Sequence, residues 1–141
     1  MNHFEKQQNE EIVMSITKHL NFVLDGQSGV AAAYLLGSAK SGQMRRDSDI
    51  DIALLPVEGQ IIPVQTRLEL AAQLEAQMNR TIDIGVISAQ NLIYASEAIL
   101  NGRRIIILQK NYTEIAETRL LGCYFTFRQD RKEVEESYSA A

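Results

Sequence analysis

The chain has 141 residues, 45% hydrophobic and 23% charged, a balance that excludes a disordered polymer and suits one compact domain with a real core. A net charge of −4 excludes the broadly basic surface that grips DNA or RNA by neutralising phosphates, so direct nucleic-acid binding is not expected. A single cysteine, Cys123, rules out an internal disulfide, and neither a leader pattern nor a membrane-length apolar run is visible, so a cytoplasmic protein away from membranes is expected.

In chain order, residues 4–24 carry Val13, Ile16, Leu20 and Val23 at three- and four-residue spacing, which predicts a helix with one apolar face. Gly26 and Gly29 punctuate the chain before "VAAAYLL" (30–36), a buried strand, and "DIALL" (51–55) is a second strand stopped by Pro56. Residues 64–78 predict a helix with Leu70, Leu74 and Met78 on one side, backed by Ala71. "TIDIGVI" (81–87) alternates with period two and is a third strand. Ser88 is placed to cap a helix ending near Asn101-Gly102, and "RIIIL" (104–108) is a fourth strand. From about residue 112 a long final helix is expected, apolar through Phe127, with "RQDRKEVEE" (128–136) as a solvated face laced by internal ion pairs. The sum predicts an α/β (α+β) domain over 1–141: a small mixed β-sheet with helices packed against it, its core spanning about 28–110.

The chemistry concentrates in "LLGSAKSGQMRRDSDIDIALL" (35–55). Residues two apart in a strand share a face, so Asp49 and Asp51 project together while Ile50 and Ile52 point the other way. Two neighbouring carboxylates repel unless one takes a proton or a cation sits between them, and magnesium prefers carboxylate oxygens, water and substrate phosphates. Gly37 and Ser38 directly follow a strand, where glycine allows close backbone approach to a ligand and serine adds a hydroxyl beside the amide donors. Lys40, Arg45 and Arg46 are at hand for the remaining negative charge of a phosphate group. Asp83 sits inside an apolar strand, facing away from Ile82, Ile84 and Val86, where acids are disfavoured; it offers a third carboxylate and a general base.

Gly37-Ser38, ten residues, then Asp49-Ile50-Asp51 resembles the signature of the nucleotidyltransferase superfamily related to DNA polymerase beta, and "GSAKSGQMRRDSDIDIAL" resembles its minimal nucleotidyltransferases. The resemblance covers about residues 30–87. It implies transfer of a nucleoside monophosphate from a nucleoside triphosphate, with ATP as donor and two Mg2+ ions. Asp49, Asp51 and Asp83 would then be the catalytic and metal-binding triad, and Gly37 and Ser38 would hold the triphosphate. The arginine that such proteins commonly carry at the position of Ser41 is absent here. The resemblance also implies a partner, because minimal nucleotidyltransferases pair with small all-helical HEPN-type proteins. There they serve as antitoxins that place AMP on a toxin tyrosine.

Other readings carry their own residues. As a calcium loop, "DSDIDIALLPVE" fails at its sixth position, which needs glycine and has Ile52. His3 and His19 lack partners at metal-ligand spacing, Cys123 reads as a small apolar filler in the last helix, and Tyr112, Tyr124 and Tyr138 as packing residues. "LLGCYFTF" (120–127) is apolar all round, so it is either core or an interface. Two functional alternatives stand beside the antitoxin enzyme: transfer to a small molecule of the aminoglycoside type with a helical partner, and neutralisation of a toxin by binding alone.

Overall fold

The computed structural model describes residues 3–37 and 49–139. Helix α1 (His3–Leu24) buries Val13, Ile16, Leu20, Val23 and Leu24, the face its spacing predicts. Strand β1 (Val30–Leu36) leads to β2 (Ile50–Pro56), and α2 (Val64–Met78) follows. Helix α2 stops at Asn79, whose left-handed backbone (φ 53°) lets its N–H close onto the Glu75 carbonyl at 2.9 Å. Strand β3 (Ile82–Val86), a short α3 (Leu92–Ser96) continued by a π-helical turn (Glu97–Asn101), β4 (Arg103–Ile107) and α4 (Lys110–Ser139) complete the order.

The strands form one mixed sheet in the order β3-β2-β1-β4. β1 runs antiparallel to both β2 and β4, whereas β2 and β3 are parallel. Period-two alternation divides the sheet into two faces. Ala33, Leu35, Ile50, Ile52, Leu54, Ile82 and Ile84 pack against Val13, Ile16 and Leu20 of α1 and Leu70 and Leu74 of α2. Each fully buried leucine or isoleucine there contributes about 1.5–3 kcal/mol. On the opposite face Ala32, Tyr34, Ala53 and Leu55 meet Ala95 and Ala98 of the α3 segment and Ala116 of α4. The many alanines let those helices approach closely, and they cover only part of this face.

Three expectations need correction. The segment after β3 starts later than Ser88: the Asn91 side chain caps it by accepting the Tyr94 N–H at 3.3 Å, while Ser88 Oγ accepts from Gln90 N in the preceding turn. Its second half is π-helical, because Gly102 closes it with its N–H shared between the Glu97 and Ala98 carbonyls. Cys123 is exposed, and Phe125 and Phe127 are 50% and 42% exposed. At 30 residues α4 is about 45 Å long and buries only Thr113 and Ala116 near its start, so it outruns the sheet before reaching those side chains.

Candidate active site

The less covered face of the sheet gathers the acids. β2 and β3 pair in register with Asp51 opposite Asp83, so two carboxylates stand side by side on strands about 4.8 Å apart. The register is pinned at both ends: at the start Ile50 N–H donates to the Thr81 carbonyl at 2.9 Å and Ile82 N–H to Glu75 Oε1 of α2 at 3.0 Å, and past the end of β3 Ile87 N–H donates to the Leu54 carbonyl at 2.9 Å. The expected facing of Asp83, away from Ile82 and Ile84, is what the strand adopts. Asp49 immediately precedes β2 and is exposed, Asp83 is exposed, and Asp51 is half-buried between them.

On its other flank Asp51 meets the end of β1, where it pairs with Leu36. The next residue, Gly37, has φ +62°, a conformation that favours glycine, and a Cβ built on it would stand 3.4 Å from Asp51 Oδ2. The turn therefore abuts the carboxylate. Burial, then the charges of Asp83 and Asp49, push the Asp51 carboxyl above its usual range. Ser38, Lys40, Ser41, Arg45 and Arg46 lie outside the described residues.

Among the described residues no three His, Cys, Asp or Glu side chains are drawn together tightly enough to cage a metal ion. The register instead builds a pair, Asp51 and Asp83, with Asp49 alongside. An all-oxygen donor set whose charges oppose one another suits magnesium, which takes one or two carboxylates and completes its shell with water and substrate phosphates. The residues fit that ion.

Sequence reasoning missed two neighbours of this site. Gly85 shares the face of Asp83, and a Cβ there would collide with the Tyr94 hydroxyl and stand 2.7 Å from its ring Cζ. The α3 tyrosine thus covers the strand beside the acids. Burial and the charges of Asp83 and Asp51 push its phenol up to about 12. The signal was available, since an isolated glycine inside a strand marks a close approach. The second, Arg67 of α2, is half-buried, its Nε has no hydrogen-bond partner among the described residues, and its charge slightly offsets the rise of the Tyr94 phenol.

Several solved structures share this fold. A crystallised toxin–antitoxin complex with AMP-PNP is 20% identical and covers 87% of this chain and 98% of its own, with a TM-score of 0.70. A tri-AMPylated Shewanella oneidensis HEPN toxin in complex with an MNT antitoxin is 19% identical, covering 95% and 98%, with a TM-score of 0.63. A MntA–HepT toxin–antitoxin structure is 18% identical, covering 94% and 98%, with a TM-score of 0.60. At these identities the likeness shows the fold. No curated protein matches the chain by sequence. The family model described as "Polymerase beta, Nucleotidyltransferase" matches residues 18–111, more than half of the chain. With that match joined to a fold that sets Asp51 beside Asp83 and the Gly37 turn, the chain belongs to the polymerase beta nucleotidyltransferase family.

Proposed function

We propose that this nucleotidyltransferase moves AMP from ATP to a hydroxyl of a small all-helical HEPN-type toxin, a tyrosine, and so acts as its antitoxin. The observation that carries the reading is the registered pair Asp51–Asp83 abutting the Gly37 turn, within a chain of this family. The partner rests on structural neighbours that include toxin–antitoxin complexes, one with AMP-PNP and one with an AMPylated HEPN toxin.

In this reading Gly37 and Ser38 hold the triphosphate, and Asp49, Asp51 and Asp83 hold Mg2+. The ions supply charge neutralisation on the phosphates and lower the cost of forming the attacking oxyanion. Asp83 takes the proton of the acceptor hydroxyl. The acceptor oxygen bonds to the α-phosphorus, the bond to the bridging oxygen breaks, and pyrophosphate leaves with that electron pair. Half-burial of Asp51 between two other acids keeps the site poised for a cation.

The test is incubation of the purified chain with its helical partner, ATP and Mg2+, followed by intact-protein mass spectrometry. The expected result is adenylyl mass on a partner tyrosine, abolished by Asp51→Asn together with neutralisation of the toxin. An unmodified partner refutes the reading. Neutralisation that survives Asp51→Asn would assign the protein to binding alone.

A further inference from the structure

Two residues farther along the strands than the Asp51–Asp83 pair, the parallel register sets Ala53 beside Gly85. These are the two smallest residues a strand can carry, so the acid-bearing face of the sheet has a recess next to the carboxylates. Conformation does not hold glycine at 85, because its φ is not positive. Space does. The tip of Tyr94 fills the recess: against a Cβ built on Gly85 the hydroxyl comes nearest, followed by Cζ at 2.7 Å and Cε1 at 3.3 Å. The phenol oxygen therefore stands where a side chain of residue 85 would begin, in the same row as Asp83.

The segment that carries this tyrosine is firmly seated. The Asn91 side chain accepts the Tyr94 N–H at 3.3 Å, and Ser96 Oγ donates to the Ile93 carbonyl at 2.9 Å. Ala95 and Ala98 are buried against the sheet on either side of Ser96. Asp83 and Gly85 are two strand residues apart, about 6.7 Å, a span that a carboxylate side chain and one hydrogen bond or one bridging water can close. Burial first, and then the charges of Asp83 and Asp51, keep the proton on the phenol. The group beside the acids is thus a donor at neutral pH.

We infer that Tyr94 is a positioning residue of the metal site, its hydroxyl donating to the Asp83 carboxylate, directly or through one water, and so fixing how that carboxylate meets Mg2+. This rests on the magnesium-dependent transfer reading above. Like charges on adjacent strands turn away from each other, whereas a shared cation needs their oxygens to converge. A donor that holds one carboxylate in place removes part of the ordering cost at binding. A ring that merely plugs the recess needs no hydroxyl, and phenylalanine would serve as well. The two roles part at that one atom.

The test reads metal affinity without turnover. Mn2+, which shares the preference of Mg2+ for oxygen ligands, is titrated into the purified chain while the free ion is followed by electron paramagnetic resonance. Wild type should bind saturably, and Asp51→Asn should abolish that binding. Tyr94→Phe, which keeps the ring, is expected to weaken it about tenfold. Gly85→Ala, which drives the ring tip out of the recess, should weaken it in the same direction. In a Tyr94→Phe background Gly85→Ala should then add less than about twofold, because the oxygen it displaces is already gone. Tyr94→Phe within about twofold of wild type overturns the inference and leaves the magnesium reading standing. Losses that add in the double variant also overturn it, since packing of the ring would then carry the effect. A wild type that binds no Mn2+ overturns the magnesium reading and the inference together.

Discussion

Replacing Gly85 by alanine adds a methyl group where the Tyr94 ring already stands. The new Cβ would lie 2.7 Å from Cζ and 3.3 Å from Cε1, so the ring must retreat by about 1 Å to reach ordinary carbon–carbon separations. Overpacking of this kind costs about 1–3 kcal/mol. Alanine recovers about 0.4–1 kcal/mol by restricting the unfolded chain, since no positive φ holds this position to glycine. The expected net loss is about 1–2 kcal/mol, or roughly 4–8 °C in Tm for a chain of this size. Removing the ring removes the collision, so in a Tyr94→Ala background Gly85→Ala should be neutral or mildly stabilising. Urea denaturation of the four proteins then gives a coupling energy of at least about 1 kcal/mol. Equal cost of Gly85→Ala in both backgrounds would show that Tyr94 does not lie over this strand.

Four further outcomes follow from the geometry. On the proposed reading Mg2+ should raise the Tm of the wild type, and Asp51→Asn should remove that gain. In metal-free buffer the raised Asp51 carboxyl makes its stabilising contribution only when protonated, fully present below about pH 3.8 and lost as pH rises through the raised folded value; Tm against pH should therefore flatten in the variant. Tyr34, 1% exposed, donates its hydroxyl to Glu117 Oε1 at 2.9 Å, tying the sheet to α4, and Tyr34→Phe should cost about 1.5–3 kcal/mol in urea unfolding because the acceptor is charged. The Tyr94 phenol is raised from 10 to about 12, so the native state keeps a proton that the unfolded chain surrenders; stability should fall between pH 10 and about 12, less steeply in Tyr94→Phe. Leu74→Ala empties a fully buried position between α2 and the sheet and should cost about 2–5 kcal/mol by denaturant titration.

The Arg104–Glu117 ion pair differs in kind from the exposed i,i+4 pairs farther along α4. Glu117 also accepts the Tyr34 hydroxyl, so its charge is held within a shared network at the sheet. Arg131–Glu135 and Lys132–Glu136 face water, as the charged run predicts, and each contributes about 0.3–0.5 kcal/mol. Beyond Leu120, α4 therefore depends on helix propensity and such pairs, with little help from packing.

Local order was written in the sequence because side-chain period reports it directly. The alternation in "DIDIALL" and "TIDIGVI" put Asp49, Asp51 and Asp83 on faces opposite their isoleucines, and the spacing of Val13, Ile16 and Leu20 marked the buried side of α1. Gly37 followed by the paired acids was enough to identify the family. Tertiary structure alone decided that β1 lies between β2 and β4, that β2 and β3 run parallel, and that their register brings Asp51 against Asp83. Strand pairing depends on which edges meet, and a one-dimensional pattern does not encode that meeting. The same limit hid Tyr94, which reaches Gly85 of β3 from a separate helix. It also hid the exposure of Phe125 and Phe127, because an apolar residue is buried only where another element arrives to cover it.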